Sequence, residues 1–263
     1  LRSTYIGILG NDFSAQICME DMKKRGVDLT NIKQTNEDRT AFSVILKTEW
    51  GKDRSILAYK GANNLLVPED VKESLFDNIK AFAWTSLTED NACKAIEKAI
   101  TLTKNNGGKI FAAPSMSIIK NNQKYAKILI SSSDVVSLNK EEAQEFTNKK
   151  DTVNIVRDLK DLGLELICIT DGSNGSVISD GTEMIKSSVY GGKVEDTTGA
   201  GDAFLSGILV SILRNIELKK MARIASAMSF LECQEPGVRE GLPDSFDDLE
   251  RFIQEHDLHQ VVS

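Results

Sequence analysis

Histidine is nearly missing: the 263 residues contain two, His256 and His259, both in the polar C-terminal stretch. Serine–histidine–aspartate and cysteine–histidine catalysis therefore have no centre, and any catalysis must run on carboxylates and backbone groups. Cysteine is sparse too. Cys18, Cys93, Cys168 and Cys233 are far apart with no CxxC pair, a pattern that favours buried reduced thiols over disulfides or a zinc site. No basic cluster is present, and a formal net charge of −7 with a pI near 5.1 speaks against a nucleic-acid partner. No apolar run approaches the roughly 20 residues that span a bilayer. The sequence also opens without the basic-then-apolar pattern of a signal peptide, so no membrane partner is expected and the expected location is the cytoplasm.

What is present is ordinary globular material: 41% hydrophobic and 27% charged residues, without repeats or low-complexity tracts. Residues Tyr5 to Leu9 read as a strand. A helix follows, with Ala15, Cys18 and Met22 on one face and Gly26 as terminator. From Thr40 to Tyr59 the pattern is strand, polar turn around Gly51 (Glu49 to Asp53), strand; this is a hairpin, either projecting or at the edge of the main sheet. Phe82 to Thr85 reads as a buried strand, and a helix from about Glu89 to Lys104 follows. KIFAA, DVVSL and LELICIT then recur as short strands separated by helical stretches, which implies a mostly parallel sheet covered on both faces. Ligands of such sheets lie at the carboxyl ends of the strands. Ser245 to His256 reads as a closing amphipathic helix.

Three short segments carry chemistry. The first is Asp196-Thr197-Thr198-Gly199-Ala200-Gly201-Asp202. Phe204, Leu205, Ile208, Leu209 and Ile212 recur behind it at helical spacing, so a helix begins near Ala200. Its first N–H groups lack intrahelical partners and its dipole is positive there, which suits Gly199, Ala200 and Gly201 to an anion. Asp202 beside an anion site has a use as a proton acceptor for an attacking hydroxyl, the arrangement of a kinase. The plainer alternative is a glycine-rich turn with Asp202 as a favourable first-turn acid. In the second segment Asn139 and Glu142 stand three apart where a strand gives way to a helix, as a ligand pair or as a capping box. The third, Thr170-Asp171-Gly172-Ser173-Asn174-Gly175, follows another apolar strand, as a ligand turn or as a plain loop.

DTTGAGD followed by AFLSG resembles the signature of the ribokinase-like carbohydrate kinases, the phosphofructokinase-B group, and the other two segments resemble that family's NxxE and TxGxxG motifs in the same order. The resemblance runs from Tyr5 to Phe252. It implies an α/β, ribokinase-like fold over 1–263: a mostly parallel central sheet with helices on both faces and a small β lid at about 38–62. It implies an ATP-dependent kinase acting on a sugar or nucleoside hydroxyl. Asp202 would be the catalytic base and Gly199, Ala200 and Gly201 the anion hole. Asn139, Glu142, Thr170, Gly172, Gly175 and Ser226 would hold the nucleotide, with Glu142 orienting Mg²⁺ through water. Asp196, Thr198 and the Pro236-Gly237 loop would line a site for a monovalent cation such as K⁺. The lid implies a homodimer.

The sequence also departs from the family. Glu232, Cys233 and Glu235 replace common small or basic residues before Pro236, and Ala113-Pro114-Ser115 stands where many members have Asp-Pro-Asn. The family's first strand and Gly-Gly sugar segment have no counterpart before Leu1, which is expected to reflect omitted residues. A non-catalytic nucleotide or sugar sensor of the same fold is the rival reading.

Overall fold

The computed structural model describes residues 2–47, 54–85, 87–256, 258 and 261–262. The polar turn expected at Glu49 to Asp53 and His259 lie outside them. The sequence reads as one domain with a lid; the structure divides into two compact units, residues 1–77 with 87–102, and residues 78–86 with 103–263.

In the first unit β1 (Ser3–Thr4) pairs in parallel with β3 (Val27–Asp28), and β2 (Gly7–Gly10) with β4 (Ile32–Thr35). Helix α1 (Phe13–Lys24) starts at Asp12, whose carboxylate accepts from the N–H of Ala15 at 2.9 Å. The same carboxylate accepts from the N–H and hydroxyl of Thr40, both at 2.8 Å, so one acid fixes the helix start and a segment 28 residues away. These bonds hold its pKa below the ordinary aspartate range. Gly26, at φ +75°, ends the helix turn in a left-handed conformation that suits glycine. Of the face expected to be buried, Ala15 is buried, whereas Cys18 is exposed. A short amphipathic pattern does not say how much of a helix face finds cover.

Strands β5 (Phe42–Lys47) and β6 (Arg54–Tyr59) form the expected hairpin as a separate antiparallel sheet, not as an edge of the main one. Register pairs Val44 with Leu57 and Phe42 with Tyr59, and these four side chains are all exposed. Helix α2 (Asp90–Asn105) contributes its residues up to Leu102 to this unit.

The second unit is built on one seven-stranded sheet whose spatial order follows the sequence: β7 (Ala81–Thr85), β8 (Lys109–Ala113), β9 (Val135–Asn139), β10 (Leu166–Thr170), β11 (Ser176–Ser179), β12 (Met184–Ser187) and β13 (Val261–Val262). The first four strands run parallel, and the last three continue antiparallel. Between and after them lie α3 (Met116–Asn121), α4 (Gln123–Ser131), α5 (Lys140–Thr147), α6 (Thr152–Asp161), α7 (Ala200–Leu213), α8 (Leu218–Glu232) and α9 (Phe246–Glu255).

Side chains alternate between faces along a strand, and the core divides accordingly. Phe111, Val135, Leu166, Cys168, Ile178 and Ile185 pack with Phe204, Leu205 and Ile208 of α7 and Met221, Ala222 and Ala225 of α8. The intervening Ile110, Val136, Ile167 and Ile169 are buried on the reverse face, where α5 and α6 meet β9 and β10. Helices α7 and α8 sit unusually close: a Cβ at Gly207 would come within 2.8 Å of Ala225 Cα. On the outer side of α8, Phe230, Ile224 and Ala227 pack with Tyr190 and with Leu249 of α9. No helix among the described residues is long and apolar enough to cross a membrane.

Candidate active site

The apolar run after Gly201 forms α7 as its periodicity requires, and the glycine-rich segment forms the head of that helix. Gly199 is the N-cap at φ +89°, ψ −13°, and no side chain caps the helix. The N–H groups of Gly201 and Asp202 have no acceptor among the described residues. The two glycines differ in what they do for the fold. Gly199 is required by the chain itself: beyond its left-handed φ, a Cβ there would lie 3.1 Å from Glu232 Oε1 and 3.1 Å from the Val238 carbonyl oxygen. At Gly201 a Cβ would point into open space. The fold would tolerate a side chain at 201, and its omission leaves the helix head bare for a ligand.

Asp202 occupies the first turn of α7 and is solvent-accessible. Enough protein surrounds its carboxyl that desolvation raises its pKa above the ordinary aspartate value. Just upstream, Asp196 Oδ1 accepts from the Thr198 N–H at 3.1 Å and its hydroxyl at 2.8 Å, which closes the turn into the helix. The turn is tethered to α8, since the Glu195 N–H donates to the Cys233 carbonyl at 2.8 Å. Gly237, at φ +130°, belongs to a loop in which the Glu240 carboxylate accepts from the N–H groups of Val238 and Arg239, each at 3.0 Å.

The other two motifs meet at neighbouring strand ends, because Asn139 and Thr170 are partners in the parallel register of β9 and β10. Asn139 caps α5, and Asn139 and Glu142 form the capping box that the spacing permitted. Glu142 also accepts from the Met116 N–H at 3.1 Å, joining the starts of α3 and α5. Burial raises its pKa, against the lowering effect of those two bonds. Gly172 and Gly175 both have positive φ in the turn after β10, and at Gly175 a Cβ would strike the Ser187 carbonyl oxygen. Ser226 lies in mid-α8, buried, in a line of hydroxyls: Ser176 to Ser187 at 2.8 Å and Ser187 to Ser226 at 3.2 Å.

The structure thus gathers Asn139, Glu142, Thr170, Gly172 and Gly175 at adjoining strand ends, and Asp196 to Asp202 at one helix head tied to the end of α8. No hydrogen bond among the described residues links these groups directly; α7 carries the second group by packing on the sheet. Four relationships had no local sequence signal: Glu232 beside Gly199, Met116 on Glu142, the Ser176–Ser187 contact, and the Lys140–Asp171 ion pair at 2.7 Å. Cys93, Cys168 and Cys233 are buried free thiols, and burial pushes Cys93 up to about 11.

A family model described as pfkB family carbohydrate kinase matches residues 1–245. An ATP-dependent 6-phosphofructokinase of Thermoanaerobacterium thermosaccharolyticum is 24% identical over 251 residues, covering 93% of this chain and 77% of that one. Among solved structures, an E. coli protein in complex with ATP and Mg²⁺ superposes with a TM-score of 0.88 at 21% identity, over 97% of this chain and 84% of that one. A fructokinase from Vibrio cholerae O395, bound to fructose, ADP and calcium, gives a TM-score of 0.84 at 22% identity, over 96% and 85%. Both likenesses establish the ribokinase-like fold, and the glycine-rich helix head, its adjacent acid and the two strand-end motifs fall within the matched residues. The chain belongs to the pfkB family of carbohydrate kinases, phosphotransferases with an alcohol group as acceptor.

Proposed function

We propose that this kinase transfers the γ-phosphate of ATP to a hydroxyl of a sugar or nucleoside at the head of α7, with Asp202 as the base. The observation that carries the reading is an accessible carboxylate of raised pKa one residue beyond open N–H donors, where Gly201 leaves empty space. Ionised Asp202 takes the proton of the acceptor hydroxyl. The freed oxygen attacks the γ-phosphorus in line as the bond to the β-phosphate oxygen breaks, and ADP leaves. The amides of Gly199 and Gly201, joined by that of Ala200 once its 3.4 Å bond to the Thr197 carbonyl is released, receive the negative charge that develops on the transferred group.

Asn139, Thr170, Gly172 and Gly175 hold the nucleotide from the adjoining strand ends, with Ser226 on the α8 side. Mg²⁺, when bound, neutralises the phosphates. No group of three or more histidine, cysteine or acidic side chains that could hold a metal occurs among the described residues. That suits an ion carried chiefly by phosphates and water, with Glu142 reaching it through water. Asp196, Thr198 and Gly237 would line a place for a monovalent cation; the loop after Gly237 comes against the helix head, where the Val238 carbonyl faces Gly199. A kinase drawing on ATP with buried free thiols suits the reducing cytoplasm. The exposed apolar face of the β5–β6 hairpin, Phe42, Val44, Leu46, Leu57 and Tyr59, fits a second copy of the chain.

A coupled assay of ADP release over ribose, fructose, 2-keto-3-deoxygluconate and nucleosides tests the reading. Acceptor-dependent release with at least one compound is expected. Binding without turnover across the whole panel would favour the sensor instead, and ADP release without any acceptor would mean simple nucleotide hydrolysis.

A further inference from the structure

A cavity has its floor on the reverse face of the main sheet. The row Cys168, Ile178, Ile185 crosses β10, β11 and β12 beneath α7 and α8. The next row, Ile169, Val177 and Lys186, is paired strand to strand in the same register and must therefore face the opposite way. These three residues line a cavity of about 370 Å³ together with Lys140, Asp171 and Thr152. Asn139, Thr170, Gly172 and Gly175 are absent from the lining, whereas Asp171 and Asn174 of the third motif form part of its rim with Ser176, Ser187 and Ser188. The cavity thus has its floor on the reverse face and adjoins the third motif at the strand ends.

Its chemistry is that of a site for an anion with an apolar body. Ile169 and Val177 make an apolar floor. Lys186 has no acceptor for its ammonium among the described residues, and Lys140 is braced by Asp171 at 2.7 Å, which raises its pKa and keeps it charged. Two lysines and one aspartate give the lining a formal charge of +1 in a chain whose net charge is −7. A pocket of a few hundred Å³ with an apolar floor and few polar anchors matches small organic ligands.

We propose that this reverse-face cavity binds a phosphorylated organic anion of about nucleoside monophosphate size, its phosphate on Lys186 and Lys140 and its apolar body on Ile169 and Val177. Binding is felt at the nucleotide motifs, because a phosphate that draws Lys140 from Asp171 pulls on the residues next to Asn139 and Thr170. This last part rests on the nucleotide reading given above; the binding itself does not.

AMP and inorganic phosphate serve as probes in calorimetry on the whole protein, with and without saturating MgADP. AMP is expected to bind beside MgADP and more tightly than phosphate. Lys186→Met, a change at an exposed position, is expected to weaken AMP by about tenfold or more, as loss of a charge-assisted hydrogen bond predicts, with Lys140→Met as the second variant. AMP binding that MgADP abolishes, that phosphate equals, or that neither lysine variant changes would overturn the proposal, as would absence of AMP binding. Failure of MgADP itself to bind would count against the proposed function, and the lysine variants would still decide the reverse-face site.

Discussion

Asn139 and Glu142 cap each other: Asn139 Oδ1 accepts from the Glu142 N–H at 2.8 Å, and Glu142 Oε2 accepts from the Asn139 N–H at 2.9 Å. Because Glu142 Oε1 also holds the Met116 N–H, one carboxylate satisfies donors at the starts of two helices.

Glu142→Ala is therefore expected to cost about 2 kcal/mol in urea unfolding, the sum of a lost cap and an unsatisfied amide. Glu142→Gln keeps one oxygen acceptor and should lose about half as much. If Glu142 also orients magnesium, the glutamine variant needs more Mg²⁺ for half-maximal turnover. An unchanged Mg²⁺ requirement would leave the residue with its capping role alone.

The two glycines of the helix head separate fold from function. Gly199→Ala forces a side chain into a left-handed backbone and against Glu232 and Val238, at an expected cost of about 1–2 kcal/mol. Gly201→Ala gains helix propensity and should raise stability by up to about 1 kcal/mol, yet it places a methyl where the phosphates must approach. Thermal melts should therefore rank the variants in one order and KM for ATP should show Gly201→Ala impaired. Wild-type kinetics in Gly201→Ala would sink the phosphate-cradle role.

Burial raises the carboxyl pKa of both Asp202 and Glu142. Between the ordinary carboxylate value and the raised one, the folded protein keeps protons that the unfolded chain has released, so the stability these groups confer is present at low pH and declines as pH rises through that window. Turnover runs the other way, since only ionised Asp202 accepts a proton. The acid limb of kcat/KM should lie above the ordinary aspartate range. Asp202→Asn should lower turnover by about 10²–10⁴-fold without making the protein easier to unfold at neutral pH. Undiminished turnover in that variant removes the base assignment.

Ser187 is the middle of the buried hydroxyl line that joins β11, β12 and α8. Ser187→Ala strands two hydroxyls and should cost about 1–2 kcal/mol. A double-mutant cycle with Ser226→Ala measures the coupling, and strict additivity would mean that the contact carries no energy.

Local pattern was enough to find α7, its glycine-rich head and Asp202, because a helix start announces itself within seven residues. The parallel strands were equally legible as apolar runs ending in polar turns. What escaped was set by distance along the chain. Glu232 follows Gly199 by more than thirty residues, and Met116 precedes Glu142 by 26, so no spacing rule connects them. The choice between a capping box and a ligand pair at Asn139 was open because both uses need the same two side chains, and the box proves to be formed. Cys18 was misplaced because α1 is covered mainly at Ala15.

Gly207 lets the backbones of α7 and α8 touch at Ala225, and the turn that leads into α7 is bonded to the end of α8 through Glu195 and Cys233. A rod clamped at mid-length, with its lead-in turn pinned as well, resists pivoting and sliding. The donors at its tip are consequently braced by a second helix as well as by their own.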